Sequence, residues 1–310
     1  MHRALLAFML AVATPVVAQA GYLAGVHAFN NGDFATAYEE LAPLAEEGNS
    51  GAQYYLGQMY LTGRGVERDE ARAFELLRQA ADAGDARAQV NMGLFYEAGR
   101  IVPRDEAAAA EWFRQAADAG MPFAQTKLGV LYQRGDGVAQ DYDRARELYE
   151  AAGAQGDVYA LRNLGYLFEN GLGVEQDFAE AERWYRLAIA EGYPGAMNNL
   201  AWMLATNQDR LDEALELARR AVDLQPTPTF IDTLGYVHFQ RGEYDEAVAA
   251  YERSLSMFDG DWTVIDRLGD AYFESGDLAR AEATWRRAAD AAPAGPERDA
   301  VIRKLDQIHS

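Results

Sequence analysis

The chain has 310 residues, 49% of them hydrophobic and 25% charged, about twice the length of a usual single-core domain, so it holds two domains or a repeat array and is not disordered. Its 28 Lys+Arg against 49 Asp+Glu give a net charge of −21, which repels phosphate backbones and argues against a nucleic-acid partner. Cysteine is absent, which excludes disulfides, thiolate metal sites and a cysteine nucleophile, and Lys127 and Lys304 are the only lysines.

The first twenty residues read as an export signal. Arg3 supplies a positive start, Ala4 to Ala13 is apolar, and Ala18-Gln19-Ala20 fits the small-x-small cleavage rule. That apolar run is too short to span a bilayer, which takes about 20 helical residues. Cleavage after Ala20 would remove Arg3 and take the net charge from −21 to −22. No later stretch is apolar enough for a membrane helix, so the expected product is periplasmic, or secreted from a bacterium. Residues 21–50 then form a shortened hairpin, Tyr22–Asn30 and Phe34–Glu47, around the turn Asn31-Gly32-Asp33.

A 36-residue period organises the middle of the chain. Ala52, Ala88, Ala124, Ala160 and Ala196 recur, as do Leu56, Met92, Leu128, Leu164 and Leu200. Gly57, Gly93, Gly129 and Gly165 follow that column, then Tyr60, Tyr96, Tyr132 and Phe168. Alanine, leucine and tyrosine spaced by four share one helix face. The adjacent glycine, lacking Cβ, lets the partner helix approach closely. Gly63 and its equivalents end that helix in a left-handed conformation. Asp69, Asp105, Asp141 and Asp177 stand where a second helix begins and are expected to cap it. Each loop offers essentially one carboxylate, too few for calcium. No strand precedes the glycines, so they form no phosphate cradle. Ala73, Leu76 and Ala80 line the second helix. Two such helices bury their apolar faces only against neighbouring units.

The pattern A-x-x-x-L-G-x-x-Y-x-x-G-x-G-V-x-x-D-x-x-x-A, seen at Ala52–Ala73, Ala124–Ala145 and, with Phe168 at the tyrosine, Ala160–Ala181, resembles the Sel-one-like repeat, a 36-residue relative of the tetratricopeptide repeat. The second unit departs from it, with Ile101 at the second loop glycine and Pro103 after Val102; Ile101 is expected to be exposed. Beyond Leu200 the period is 34 (Leu234 to Leu268, Gly235 to Gly269, Tyr251 to Trp285) and resembles the tetratricopeptide repeat itself. The expected fold is all-α, a right-handed α-solenoid. Four Sel-one-like repeats occupy 51–194, three tetratricopeptide-like repeats 195–294, and a capping helix 295–310 with Val301, Leu305 and Ile308 on one face. Eight hairpins and the cap give seventeen helices. No Pro/Ser-rich linker interrupts them, which favours one array over two domains, with Asn207-Gln208-Asp209 as the candidate hinge.

No catalytic or cofactor-binding pattern emerges. His2, His27, His238 and His309 lack metal-site spacing. Some cysteine-rich members of the same broad family have been described as β-lactamase-like, yet none of Ser50, Ser254, Ser256 or Ser275 has a lysine three residues on. The reading is a non-enzymatic binding protein, with no cofactor and no metal. In helix-pair arrays the first helix of each unit lines the concave face, at positions five and two before and two and five after the leucine column. Those positions hold Phe123, Thr126, Val130 and Gln133; Tyr159, Arg162, Tyr166 and Glu169; Gly195, Asn198, Trp202 and Ala205; and Thr229, Asp232, Tyr236 and Phe239. Phe123, Tyr159, Tyr166, Trp202, Tyr236 and Phe239 are expected to form an aromatic run suited to a peptide or a sugar ring. Asn91, Asn163 and Asn199, one before the leucine column, are either backbone-binding amides on the groove wall or bridges between adjacent helices. The resemblance implies an adaptor that binds a protein partner. The chain's acidity favours basic segments, and a glycan such as peptidoglycan or an exported polysaccharide is the alternative.

Overall fold

The computed structural model describes residues 15–308, which form seventeen helices and no strand. The chain divides into two compact units between Asp157 and Val158, inside the 36-residue array rather than at Asn207-Gln208-Asp209. The N-terminal unit holds four hairpins: α1 (Pro15–Asn30) with α2 (Phe34–Glu46), α3 (Ser50–Thr62) with α4 (Glu70–Asp82), α5 (Ala86–Ala98) with α6 (Glu106–Asp118), and α7 (Pro122–Arg134) with α8 (Tyr142–Gly153). The C-terminal unit holds α9 (Val158–Asn170) with α10 (Phe178–Ala190), α11 (Pro194–Asn207) with α12 (Leu211–Leu224), α13 (Pro228–Gln240) with α14 (Tyr244–Met257), α15 (Trp262–Glu274) with α16 (Leu278–Ala291), and α17 (Pro296–Ile308). Residues 1–14 of the expected export signal lie outside the described residues; α1 begins at Pro15, ahead of Tyr22.

The periodic aspartates cap helices. Asp69 accepts from the Arg72 N–H at 2.9 Å, Asp105 from Ala108 at 2.9 Å, Asp141 from Arg144 at 3.0 Å and Asp177 from Glu180 at 3.0 Å. Each satisfies one of the free N–H groups of the first turn and places a negative charge at the positive end of the helix. The glycine after the leucine column has a different partner from the one expected. What approaches it is a side chain of the second helix. A Cβ on Gly57 would lie 2.8 Å from Leu77, one on Gly93 or Gly129 2.6 Å from the ring of Phe113 or Tyr149, and one on Gly165 2.5 Å from Tyr185. Tyr251 sits likewise over Gly235, and Trp285 over Gly269. These rings are fully buried, each worth about 1.5–3 kcal/mol of burial. In the 36-residue hairpins the seated group follows its glycine by twenty residues, in the 34-residue hairpins by sixteen. The inter-helix connection shortens by the same four, from seven residues (63–69) to three (241–243).

A buried glutamine ladder joins successive hairpins of the N-terminal unit. Gln53, Gln89 and Gln125, three before the leucine column, donate to the carbonyls of Ala45, Ala81 and Ala117 at 3.1, 3.3 and 3.3 Å. Those carbonyls belong to the last turn of the preceding second helix, where intrahelical partners run out. In the C-terminal unit Leu161 takes this column.

Ile101 keeps the loop geometry of the glycine it replaces. Gly65 and Gly137 have φ of 74° and 69°, and Ile101 has 71°, with its side chain 40% exposed. A β-branched residue there is strained by about 1–2 kcal/mol. Arg100 reaches back to Glu70 at 2.5 Å, and Arg68 pairs with the same carboxylate, which is held down at about 2. Ile101→Gly is expected to raise stability by about 1 kcal/mol, read as a higher urea midpoint at unchanged slope; a lower midpoint would contradict the strain assignment.

Candidate partner-binding wall

In the C-terminal unit the first helices approach one another in succession, α9 to α11, α11 to α13 and α13 to α15, which the second helices do less closely, so the first helices form the inner wall. Tyr159 and Tyr166 on α9 are 57% and 38% exposed. Tyr159 packs against Tyr193, ring centroids 5.0 Å apart. Trp202 of α11 and Tyr236 of α13 are half-buried and stacked at 4.5 Å, tilted by 34°. The Arg267 guanidinium of α15 lies 5.0 Å from the Trp202 ring centroid and 5.7 Å from that of Tyr236, while pairing with Asp232 at 2.5 Å. Burial pushes the Asp232 carboxyl above its ordinary value, and Arg267 opposes that shift. Phe239 turns away from the expected run: it packs on Tyr244 at 5.5 Å and against the C-terminal core. Phe123, in the N-terminal unit, is 43% exposed with the Lys127 ammonium 5.9 Å from its ring, and Lys127 pairs with Glu97 at 2.8 Å.

Two of the amides read as wall contacts are not on the surface. Asn163 and Asn198 are 9% and 7% exposed, because α11 lies between α9 and α13 and its neighbours cover those columns. Asn163 accepts from Arg162 Nη1 at 3.1 Å. Asn199 satisfies both ends of its amide when the carbonyl accepts from Arg162 Nε at 3.2 Å and the amide donates to Gly195 O at 3.1 Å. Asn91 bridges hairpins, accepting from Gln58 Nε2 at 3.1 Å and donating to Arg87 O at 2.8 Å.

The N-terminal unit contains an aromatic cluster that the column analysis missed. Tyr54 and Tyr55 flank the Arg87 guanidinium at 4.2 and 5.1 Å, Tyr55 accepts from it at 3.2 Å, and Tyr22 lies 6.5 Å from Tyr55. Asp85 pairs with Arg87 at 2.6 Å, so this cage already holds a cation of its own chain.

The Sel1 repeat family matches residues 50–85, 86–121, 122–157 and 158–193, and tetratricopeptide repeat families match 195–225 and 233–296. The chain is a Sel1- and tetratricopeptide-repeat protein. Among curated proteins none matches it. A protective antigen of uropathogenic Escherichia coli with an SLR fold is 27% identical, with a TM-score of 0.77 over 88% of this chain and 61% of that one. The chain therefore spans less than two thirds of that protein. A Sel1 repeat protein from Oxalobacter formigenes is 26% identical, with a TM-score of 0.66 over 73% of this chain and 96% of that one. Yeast Tom70, 16% identical with a TM-score of 0.51 over 94% of this chain and 64% of that one, shares the fold.

The last Sel1 hairpin and the tetratricopeptide hairpins thus share one wall, built from the α9 tyrosines and the Trp202–Tyr236–Arg267 stack. Several neighbouring polar groups are tied into the scaffold. Tyr185 donates to Glu169 at 2.5 Å, and burial raises that carboxyl above its usual range. Lys304 of α17 bridges Asp266 and Asp270 of α15, each at 2.7 Å. Among the described residues no group of three His, Asp or Glu side chains is placed to hold a metal ion. His238, the buried histidine, contacts Glu243 at 2.6 Å within its own hairpin.

Proposed function

We propose that this protein is a non-enzymatic scaffold or regulator of the bacterial cell envelope, exported through residues 1–20, that binds a protein or peptide segment on the first-helix wall of its C-terminal unit. Sel1 and tetratricopeptide arrays build protein–protein interaction scaffolds, which supports the general role. The observation that carries the particular surface is the exposure of Tyr159 and Tyr166 beside the Trp202–Tyr236 stack. Rigid rings offer large contact area at small entropy cost and dominate the energetics of recognition.

Tyr166→Ala and Trp202→Ala test this reading. Both variants are expected to fold, with Trp202→Ala losing some stability, and each to lose at least tenfold in affinity for the envelope protein the parent captures, equivalent to about 1.4 kcal/mol or more. Unchanged capture by both folded variants would refute the wall as the binding surface. Exposed tyrosine rings would also suit a sugar, and salt separates the two readings: ring stacking on peptidoglycan or exopolysaccharide barely responds, whereas binding of a charged protein segment does.

A further inference from the structure

A groove of the C-terminal unit opens on its second-helix side, between α14 and α16. Its volume is about 560 Å³, within the roughly 300–1,000 Å³ of small-molecule sites. Buried Leu255 and Leu268 line the floor. One side is acidic, with Glu252 and Ser256 on α14 and Asp259 just past its end. The other is basic, with Arg280, Thr284 and Arg287 on one face of α16. The preceding junction is closed by apolar packing instead: Val222 and Ala250, one repeat before Leu255 and Thr284, belong to one buried cluster. At one end of the groove Glu252 accepts from Tyr272 through Oε1, and the Arg280 guanidinium lies 4.5 Å from the Tyr272 ring centroid. At the other end Asp259 accepts from Arg287 Nη2 through Oδ1. The second oxygen of each carboxylate remains an acceptor, and Arg287 keeps Nε and Nη1 as donors.

We propose that this groove binds a neutral oligosaccharide, independently of the first-helix wall. Its two carboxylates and two guanidinium groups cancel, so it offers an ion little net attraction. Both ends instead set an acceptor beside a guanidinium. A hydroxyl donates and accepts at once, so neighbouring hydroxyls of a sugar ring satisfy such a pair without displacing it. Ser256 and Thr284 supply hydroxyl partners between the two ends. The C–H face of the ring covers the leucine floor, where burial of apolar area stabilises by about 25 cal/mol per Å².

The test is calorimetric titration of the full chain with chitotetraose, cellotetraose and maltotetraose, with saturation-transfer NMR as a second readout. At least one is expected to bind at millimolar concentration, with an affinity that is the same at low and high salt. Ala283→Trp places a ring in the groove from an exposed position of α16 and should weaken that binding at least tenfold. Arg287→Gln and Asp259→Asn should each weaken it by about threefold, the loss of one exposed hydrogen bond. Ser256→Trp, from the opposite side, carries the test if Ala283→Trp fails to melt like the parent. Tyr166→Ala should leave sugar binding unchanged. Absence of binding by all three sugars, or binding that survives a folded tryptophan variant, would overturn the proposal. Binding lost in Tyr166→Ala and kept in Ala283→Trp would overturn it too, by moving the sugar to the wall.

Discussion

Gly165→Val is expected to lower stability by about 4 kcal/mol and the melting temperature by roughly 10 °C. The cause is local. A Cβ at 165 would come within 2.5 Å of the Tyr185 ring, which is fully buried and has no space to retreat into. Displacing the ring also breaks its hydrogen bond to Glu169, leaving a half-buried carboxylate without its donor at a further cost of about 1–3 kcal/mol. Gly165→Ala supplies a sign test. On an exposed helix that change stabilises by about 1 kcal/mol through propensity, whereas here it must destabilise. Thermal denaturation of the two variants checks both statements. A valine variant melting within about 2 °C of the parent, or a stabilised alanine variant, would show that the ring does not sit on the glycine.

Arg267→Met is expected to cost about 3 kcal/mol at neutral pH, because it strips the counter-charge from Asp232, whose side chain is only 14% exposed, and removes the cation from the Trp202 and Tyr236 faces. The loss has a defined pH dependence. Burial already holds the folded Asp232 carboxyl above its ordinary 3.8, and losing Arg267 raises it further. Between the unfolded and folded values the native state binds more protons than the unfolded chain, so stability falls as pH rises through that window and returns on acidification. Urea denaturation should therefore show a smaller deficit near pH 5 than near pH 7, and Asp232→Asn in the same background should abolish the difference. A deficit that is flat with pH would mean that the Asp232 charge is not what Arg267 compensates.

The hairpin architecture was legible because single columns carry it. A capping aspartate, a loop glycine and a helix-face leucine each act within one repeat, so their 36-residue recurrence exposes their role directly. Ile101 was also legible as a departure, since it alone breaks the loop-glycine column. What escaped depends on two repeats at once. The glutamine ladder recurs at the same period, but a polar side chain three before the leucine column reads as solvent-facing until the preceding helix end is placed over it. The burial of Asn163 and Asn198 escapes for the same reason, because only the neighbouring first helices cover them. The Arg87 cage draws on three hairpins at unequal column positions, and no single spacing reveals it. Of the six expected groove rings, Tyr159, Tyr166, Trp202 and Tyr236 stand on the wall of the C-terminal unit, Phe123 belongs to the N-terminal unit, and Phe239 serves its own hairpin's core.

Site-specific photo-crosslinking with a benzophenone amino acid, placed once at Tyr166 on the first-helix wall and once at Arg219 on the exposed face of α12, tests the wall most directly. A crosslinked adduct from position 166 that disappears in the Trp202→Ala background, with none from position 219, is the predicted result. An adduct from position 219 with none from 166 would contradict the assignment of binding to the first helices.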